Sequence, residues 1–293
     1  MDTCEPPADH EPVTVQSVLV VGAGTMGTGI AQVIAQAGIS TTLIDADASS
    51  LERGLGAIEA RWERLAETGR QSSEAIAGFH KNLNSGTIAD VVSADLVIEA
   101  IVERLEPKTS LFQQLAEIAP PPTIFASNTS SISISTLGRA SQRPDRFLGL
   151  HFFNPVPMLP LVEIVRGLDT SDVTLAASTK FVEAIGKTPI VVDDSPGFVA
   201  NRILLPMINE AIFALQDGVA PATSIDEVMK LGMSHPMGPL ALADLIGLDV
   251  CLDILETLHR DFGDDKYRPA PMLRRMVGAG KLGRKTGQGF YEY

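Results

Sequence analysis

A chain of 293 residues is long for one domain and suits two, and its 45% hydrophobic content supplies a core for each. Against 36 Asp and Glu stand 23 Lys and Arg, a formal charge of -13 that argues against nucleic acid or an anionic membrane as the main partner. The 2 cysteines, Cys4 and Cys251, build neither a disulfide framework nor a metal cluster, so a cytoplasmic setting and no metal are expected.

Residues 1–13 carry acidic side chains and no Lys or Arg, which fits neither a secretory signal nor a transit peptide; a disordered tail is expected there. From Val13 to Ile44 no residue is charged, long enough to suggest a membrane span. Gly22, Gly24, Gly27, Gly29 and Gly38, with Gln32 and Gln36, divide that run instead into strand, turn, helix and strand. Ser17 to Val21 reads as a β-branched strand running into Gly22-Ala23-Gly24-Thr25-Met26-Gly27, and a helix is expected from Thr28 to Ala37. This is G-x-G-x-x-G in the strand-turn-helix setting of a dinucleotide fold. Gly22 allows the tight turn, Gly24 lets backbone approach a pyrophosphate, and Gly27 lets helix and strand pack closely. Thr25 and Met26 lie at the helix N-terminus, where free N–H groups favour an anion. A second strand, Ser40 to Ile44, ends at Asp45, whose carboxylate can accept from ribose hydroxyls and repels a 2'-phosphate. The cofactor expected is therefore NAD rather than NADP; the alternative is an incidental glycine-rich turn with a capping Asp.

Asp47 caps a helix expected to run to about Glu67, and a second is expected from Ser73 to about Asn82. Ala94 to Ala100 reads as a buried strand, and Pro107-Lys108 opens a helix to about Ile118. Three short buried strands follow, Ile124 to Ala126, Phe147 to Leu150 and Leu161 to Val165, with Ser127-Asn128-Thr129-Ser130-Ser131 and His151-Phe152-Phe153-Asn154-Pro155-Val156-Pro157 beside them. Polar reactive types at strand ends are how an open α/β sheet places its chemistry. His151 suits proton exchange near neutrality, Glu163 could orient its imidazole, and the Ser130 hydroxyl could bond an oxygen undergoing oxidation. Their separation of twelve residues (163 minus 151) does not show that His151 and Glu163 meet, and a satisfied core histidine stays open.

A helix from Thr174 to Ile185 and a strand from Thr188 to Val192 close the first domain, with the boundary near Asp194. Beyond Ser195-Pro196 nothing alternates like a sheet, and helices are expected over Gly197 to Gln216, Ser224 to Leu231, Leu240 to Phe262 and Ala270 to Val277. The fold class expected is α/β: a Rossmann-type dinucleotide-binding domain over 14–194, then an all-helical domain over 195–293.

SNTSS, HFFNPVP and LVEIV, in this order and separation, resemble the 3-hydroxyacyl-CoA dehydrogenase family, in particular its bacterial short-chain 3-hydroxybutyryl-CoA members. The likeness runs from about Ser17 to Tyr293, and PGF-x-x-NR at 196–202, HPMGP at 235–239 and the closing KLGRKTGQGFY also match. The resemblance implies that Ser130 binds the substrate oxygen, His151 is the catalytic base and Glu163 pairs with it. Asn154 and Asn201 become further substrate-site positions, and Glu103, Lys108 and Asn128 line the nicotinamide half of the cofactor. From the residues alone, Glu99 and Lys108 read equally as a strand-end carboxylate and a first-turn surface lysine. The resemblance further implies a helical pair that holds coenzyme A, although the lysine-rich turn common in relatives reads here Ala66 to Gln71, and it implies a homodimer closed by the C-terminal helical domain. The expected activity is reversible, NAD-dependent oxidation of an (S)-3-hydroxyacyl-CoA to the 3-oxoacyl-CoA, a reaction of fatty acid β-oxidation. A dehydrogenase of a free 3-hydroxy acid and a non-catalytic NAD-binding protein are the alternatives.

Overall fold

A computed structural model describes residues 14–293; the expected tail, 1–13, and Cys4 lie outside the described residues. The chain divides into two compact units, one ending at Asp194 and the other beginning at Ser195.

In the first unit, β1 (Ser17–Val21), β2 (Ser40–Ile44), β3 (Leu83–Ser85), β4 (Leu96–Glu99), β5 (Ile124–Ser127), β6 (Phe147–Phe152), β7 (Leu161–Arg166) and β8 (Thr188–Asp193) form one sheet. Their order is β3-β2-β1-β4-β5-β6-β7-β8, and every neighbouring pair is parallel except β6 with β7. The strand order reverses between β1 and β4, and the Gly22 turn leaves β1 beside the end of β4, the place where doubly wound sheets bind ligands. β4, β5 and β6 are buried along their whole length, which is why they read as continuous apolar runs rather than alternating ones. The three polar residues in those runs, Glu99, Ser127 and His151, are therefore placed where no solvent rewards them.

Helices α1 (Thr25–Gln36), α2 (Ala48–Glu67) and α3 (Ser73–Asn82) follow the first strands. Asp47 caps α2 through the Ser49 N–H, and Trp62 on α2 is fully buried against the rings of Phe79 and His80 on α3. The strand β3 was not legible, because Leu-Asn-Ser is too short and polar to show a period; it is recruited by pairing with β2. A short helix α5 (Ile134–Ala140) follows α4 (Leu105–Ile118) and was also missed. Its N-terminus is held from sixty residues away in sequence: the Asp194 carboxylate accepts from Ser133 Oγ, Ile134 N, Ser135 N and Ser135 Oγ. One further helix of this unit, α6 (Asp172–Ala184), precedes β8.

The second unit holds α7 (Ala200–Gln216), α8 (Ala222–Gly232), α9 (Pro239–Ile246), α10 (Leu248–Phe262) and α11 (Pro271–Gly278). The single helix expected over Leu240 to Phe262 is thus two. Gly247 separates them at φ 107°, a conformation that no helix accommodates and that a side chain resists. Leu205, Ile208, Ile212, Leu255, Leu258 and Leu273 meet in its core. Two buried carboxylates organise the rest. Asp226 accepts from the Leu240 and Ala241 N–H groups at the start of α9 and from the Tyr291 hydroxyl, while Asp244 accepts from the Phe290 and Tyr291 N–H groups and the Tyr293 hydroxyl. Burial and the Asp226 carboxylate together push the Tyr291 phenol well above its ordinary range. No helix among the described residues is long and apolar enough to cross a membrane.

Asp244→Ala should lower the urea unfolding free energy of the second unit by roughly 1–3 kcal/mol, the usual effect of stranding buried donors. Proteolysis after Lys285 should accelerate with it; an unchanged midpoint and digestion rate would show that the carboxylate does not hold the C-terminal segment.

Candidate active site

The glycine turn is shaped by contact on one side and space on the other. A Cβ on Gly22 would lie 2.6 Å from the Ala100 carbonyl oxygen, and one on Gly27 would lie 1.8 Å from that of Gly22. A Cβ on Gly24 would meet nothing within 4 Å. Gly24 is also the N-cap of α1 and supplies no side-chain acceptor, so the first N–H groups, from Thr25 onward, face that space without a cap. These are the features a pyrophosphate needs, and the residues fit NAD. Asp45 stands at the end of β2, where its carboxylate accepts from the Ala23 and Asp47 N–H groups at 2.7 and 2.9 Å. Those two bonds aim the carboxylate and leave lone pairs for ribose hydroxyls.

His151 and Glu163 do meet. The antiparallel pairing of β6 with β7 sets them directly opposite each other, and opposite residues of such a pair share a face of the sheet. His151 Nδ1 lies 2.7 Å from Glu163 Oε2, with both side chains buried. A carboxylate can only accept, so the Nδ1–H donates to it and Nε2 is left as the acceptor. Ser130 Oγ lies 3.0 Å from Nε2. The Phe153 ring packs against the imidazole, its centroid 4.6 Å away. An imidazole held this way can take a proton at Nε2 while Glu163 compensates the charge that forms.

The serine reaches His151 because β5 runs parallel to β6 with Ser127 opposite Gly149, which brings the loop after Ser127 beside the next residues of β6. Asn128 ties the two together, its Oδ1 accepting from the Phe152 N–H at 2.9 Å. Glu103 holds the loop from the other side: its Oε1 accepts from Thr129 Oγ1, Ser130 N, Ser131 N and Ser131 Oγ. Lys108 is not the surface residue that its first-turn position allowed. It is 1% exposed, with its ammonium 2.5 Å from Glu99 Oε1 and 3.2 Å from Glu103 Oε2. Desolvation pushes the Glu99 carboxyl above the usual range against the pull of Lys108; at Glu103 the ammonium and the Thr129 hydroxyl outweigh desolvation and hold it below. Sequence reasoning left Glu99 as a bare strand-end carboxylate. The available signal was a glutamate at the end of an otherwise apolar strand, nine residues before a lysine (108 minus 99).

Asn154 begins a loop whose Asn154-Pro155 peptide is cis. Lys187 anchors this loop by donating to the Val156 and Leu159 carbonyls at 2.6 and 2.7 Å, a role the sequence did not reveal. The loop forms one wall of a cleft of about 610 Å³, and Arg61, Arg64 and Arg70 line it as well. Arg61 is fixed there by the Gln32 side-chain oxygen at 3.1 Å. Asn201 lies in the second unit, in the first turn of α7.

A doubly wound sheet with a nucleotide cradle and a buried His–Glu pair beside a serine defines a dinucleotide-dependent dehydrogenase. Residues 17–195 match the NAD-binding domain of 3-hydroxyacyl-CoA dehydrogenase, and residues 197–293 match its C-terminal domain. A probable 3-hydroxybutyryl-CoA dehydrogenase of Deinococcus radiodurans is 53% identical over 274 residues, 94% of this chain and 99% of that protein. The 3-hydroxybutyryl-CoA dehydrogenase of Bradyrhizobium diazoefficiens is 48% identical over 280 residues, 95% of this chain and 96% of that protein. Among solved structures, the (S)-3-hydroxybutyryl-CoA dehydrogenase of Ralstonia eutropha superposes with a TM-score of 0.93 at 47% identity, covering 96% of this chain and 99% of that one. The chain belongs to the 3-hydroxyacyl-CoA dehydrogenase family and is an NAD-dependent oxidoreductase.

Gly24→Ala should fold normally, since its Cβ enters open space, yet weaken NADH binding by about tenfold or more, or at least about 1.4 kcal/mol. Gly27→Ala, whose Cβ collides with backbone, should lose stability as well. Fluorescence titration with NADH and thermal melts separate the two, and unaltered affinity in Gly24→Ala would place the pyrophosphate elsewhere.

Proposed function

We propose that the protein oxidises the hydroxyl of a short (S)-3-hydroxyacyl-CoA, 3-hydroxybutyryl-CoA, to the 3-oxoacyl-CoA, and reverses the reaction. The observation that carries this reading is His151 held between Glu163 and Ser130. His151 Nε2 takes the hydroxyl proton, and Glu163 stabilises the imidazolium and keeps the ring from turning. Ser130 bonds the substrate oxygen next to Nε2, so that the donor and the base converge on one atom. Bound NAD supplies the hydride acceptor. Gly22, Gly24, Thr25, Met26, Gly27 and Asp45 hold its adenosine and pyrophosphate part, and Glu103, Lys108 and Asn128 border its nicotinamide half.

Coenzyme A is anionic, and a chain of charge -13 repels it everywhere except at local basic patches. The cleft lined by Arg61, Arg64 and Arg70 is such a patch, and Asn154 is part of its wall. These arginines take the place of the lysine-rich turn that the chain lacks. They also favour a thioester substrate over a free 3-hydroxy acid. Asn201 contributes a further contact to the substrate.

A homodimer through the helical unit is supported by α8, which leaves Val228 and Leu231 62% and 80% exposed on one face. Leu231→Glu should shift the mass found by light scattering from dimer to monomer; wild-type protein monomeric at every concentration would exclude this assembly. A cytoplasmic setting is supported by a chain whose 2 cysteines form no disulfide framework.

The test is the rate of NADH loss with acetoacetyl-CoA, compared with free acetoacetate and with NADPH. Turnover confined to the thioester and NADH is expected, activity on the free acid would replace the substrate handle, and NADH binding without turnover would remove the catalytic reading. His151→Gln should lower kcat by about 10²–10⁴ while leaving NADH affinity intact, the usual scale of general acid-base catalysis. Asn201→Ala should act chiefly on the KM of the thioester. Retained kcat in His151→Gln would take His151 out of the mechanism.

A further inference from the structure

Ser130, His151 and Glu163 account for the proton transfer, but a second ionic cluster is buried beside them. Glu99, the last residue of β4, is fully buried, and Lys108 on α4 is 1% exposed. Taking such a pair out of water costs several kcal/mol per ion unless its hydrogen-bonding capacity is used. Here it is used. Glu99 Oε1 accepts from Lys108 Nζ at 2.5 Å and from the Ile101 N–H at 2.7 Å, and Oε2 accepts from Ser127 Oγ at 2.6 Å. Lys108 then reaches Glu103 Oε2 at 3.2 Å, and the other oxygen of Glu103 takes the Ser130 N–H at 2.8 Å and the Thr129 hydroxyl at 2.6 Å.

The serine loop is therefore gripped at two points that share one origin. At its start Ser127 is bonded to Glu99 directly; at Ser130 the backbone is bonded to Glu103, whose place is set by the ammonium that Glu99 holds. We propose that Glu99 is a positioning residue, which fixes the Ser130 hydroxyl against His151 Nε2 through Ser127 on one side and through Lys108 and Glu103 on the other. This rests on the catalytic reading of Ser130 and His151 given above. Lys108 acts in it as a cationic clasp between two carboxylates. A packing role alone would not need an ionised residue here, because an apolar side chain fills the end of a buried strand at lower cost. The charge has a use because neutral groups could not draw two carboxylate-bearing segments, the end of β4 and the turn before α4, onto one point.

The test is a double-mutant cycle in the full-length enzyme with acetoacetyl-CoA and NADH. Glu99→Gln keeps the shape and removes the charge. It should lower kcat by about 10- to 100-fold while the KM of the thioester changes by less than about threefold. In a Ser130→Ala background, with no serine hydroxyl left to place, the same substitution should cost less than about twofold. Should Glu99→Gln not fold, Ser127→Ala removes the direct grip alone and enters the same cycle, with a smaller loss that again vanishes beside Ser130→Ala. Unchanged kcat in the foldable variant, or a loss of equal size with and without Ser130, overturns the positioning role while wild-type turnover leaves the catalytic reading standing. Full activity in Ser130→Ala itself would instead overturn the role of Ser130, and this proposal with it.

Discussion

The antiparallel register of β6 against β7 is the constraint on which the geometry of the candidate site depends. Elsewhere the sheet is parallel, and parallel strands are joined by long crossovers that leave residues near in sequence far apart in space. Reversing direction between Phe152 and Leu161 sets residue 151 opposite residue 163, on one face and at hydrogen-bonding distance. A slip of one residue would send one side chain of the pair to the other face, because side chains alternate along a strand. The turn that permits the reversal, Phe153 to Pro160, also carries Asn154 and walls the arginine cleft, so the cleft wall and the His151–Glu163 pair share one structural origin.

The electrostatics follow from the same sheet. The residues at the ends of β4 and β5 are glutamate and serine, buried side by side and paired in register, Glu99 with Ser127. A buried carboxylate is stable only when its oxygens are occupied, and Lys108, Ile101 and Ser127 occupy them. The sheet thus buries two acids on different strands, Glu99 on β4 and Glu163 on β7, each with its own partners. Outside that region the net negative charge makes the three arginines of the cleft a local exception.

In the helical unit carboxylates act as structural acceptors rather than as acids. Asp226 and Asp244 gather a helix start and the last residues of the chain around themselves, and the tyrosines of that segment supply both ring area and hydroxyl donors. The closing motif therefore has a mechanical meaning that its sequence did not disclose.

Most of the fold was legible because its signals are local. The β-branched runs, the glycine turn with its following helix, the Asp47 cap and the apolar helical stripes each declare themselves within a dozen residues. Their order specifies a dinucleotide domain followed by a helical one. The glycine turn, helix start and Asp45 were legible for the same reason, since they lie within twenty-four residues of each other (45 minus 22, counting both). What failed locally were elements made by partners far along the chain: β3, paired onto β2; α5, whose start Asp194 holds; and the break at Gly247, which a continuous apolar stripe concealed. The sequence by itself determined the family and which polar residues stand at the strand ends, because residue type and motif order are local properties. Only the tertiary structure decided that His151 faces Glu163, that Lys108 is buried between Glu99 and Glu103, and that three arginines line one cleft. Pairing register and burial arise from contacts between distant segments, and no local pattern records them.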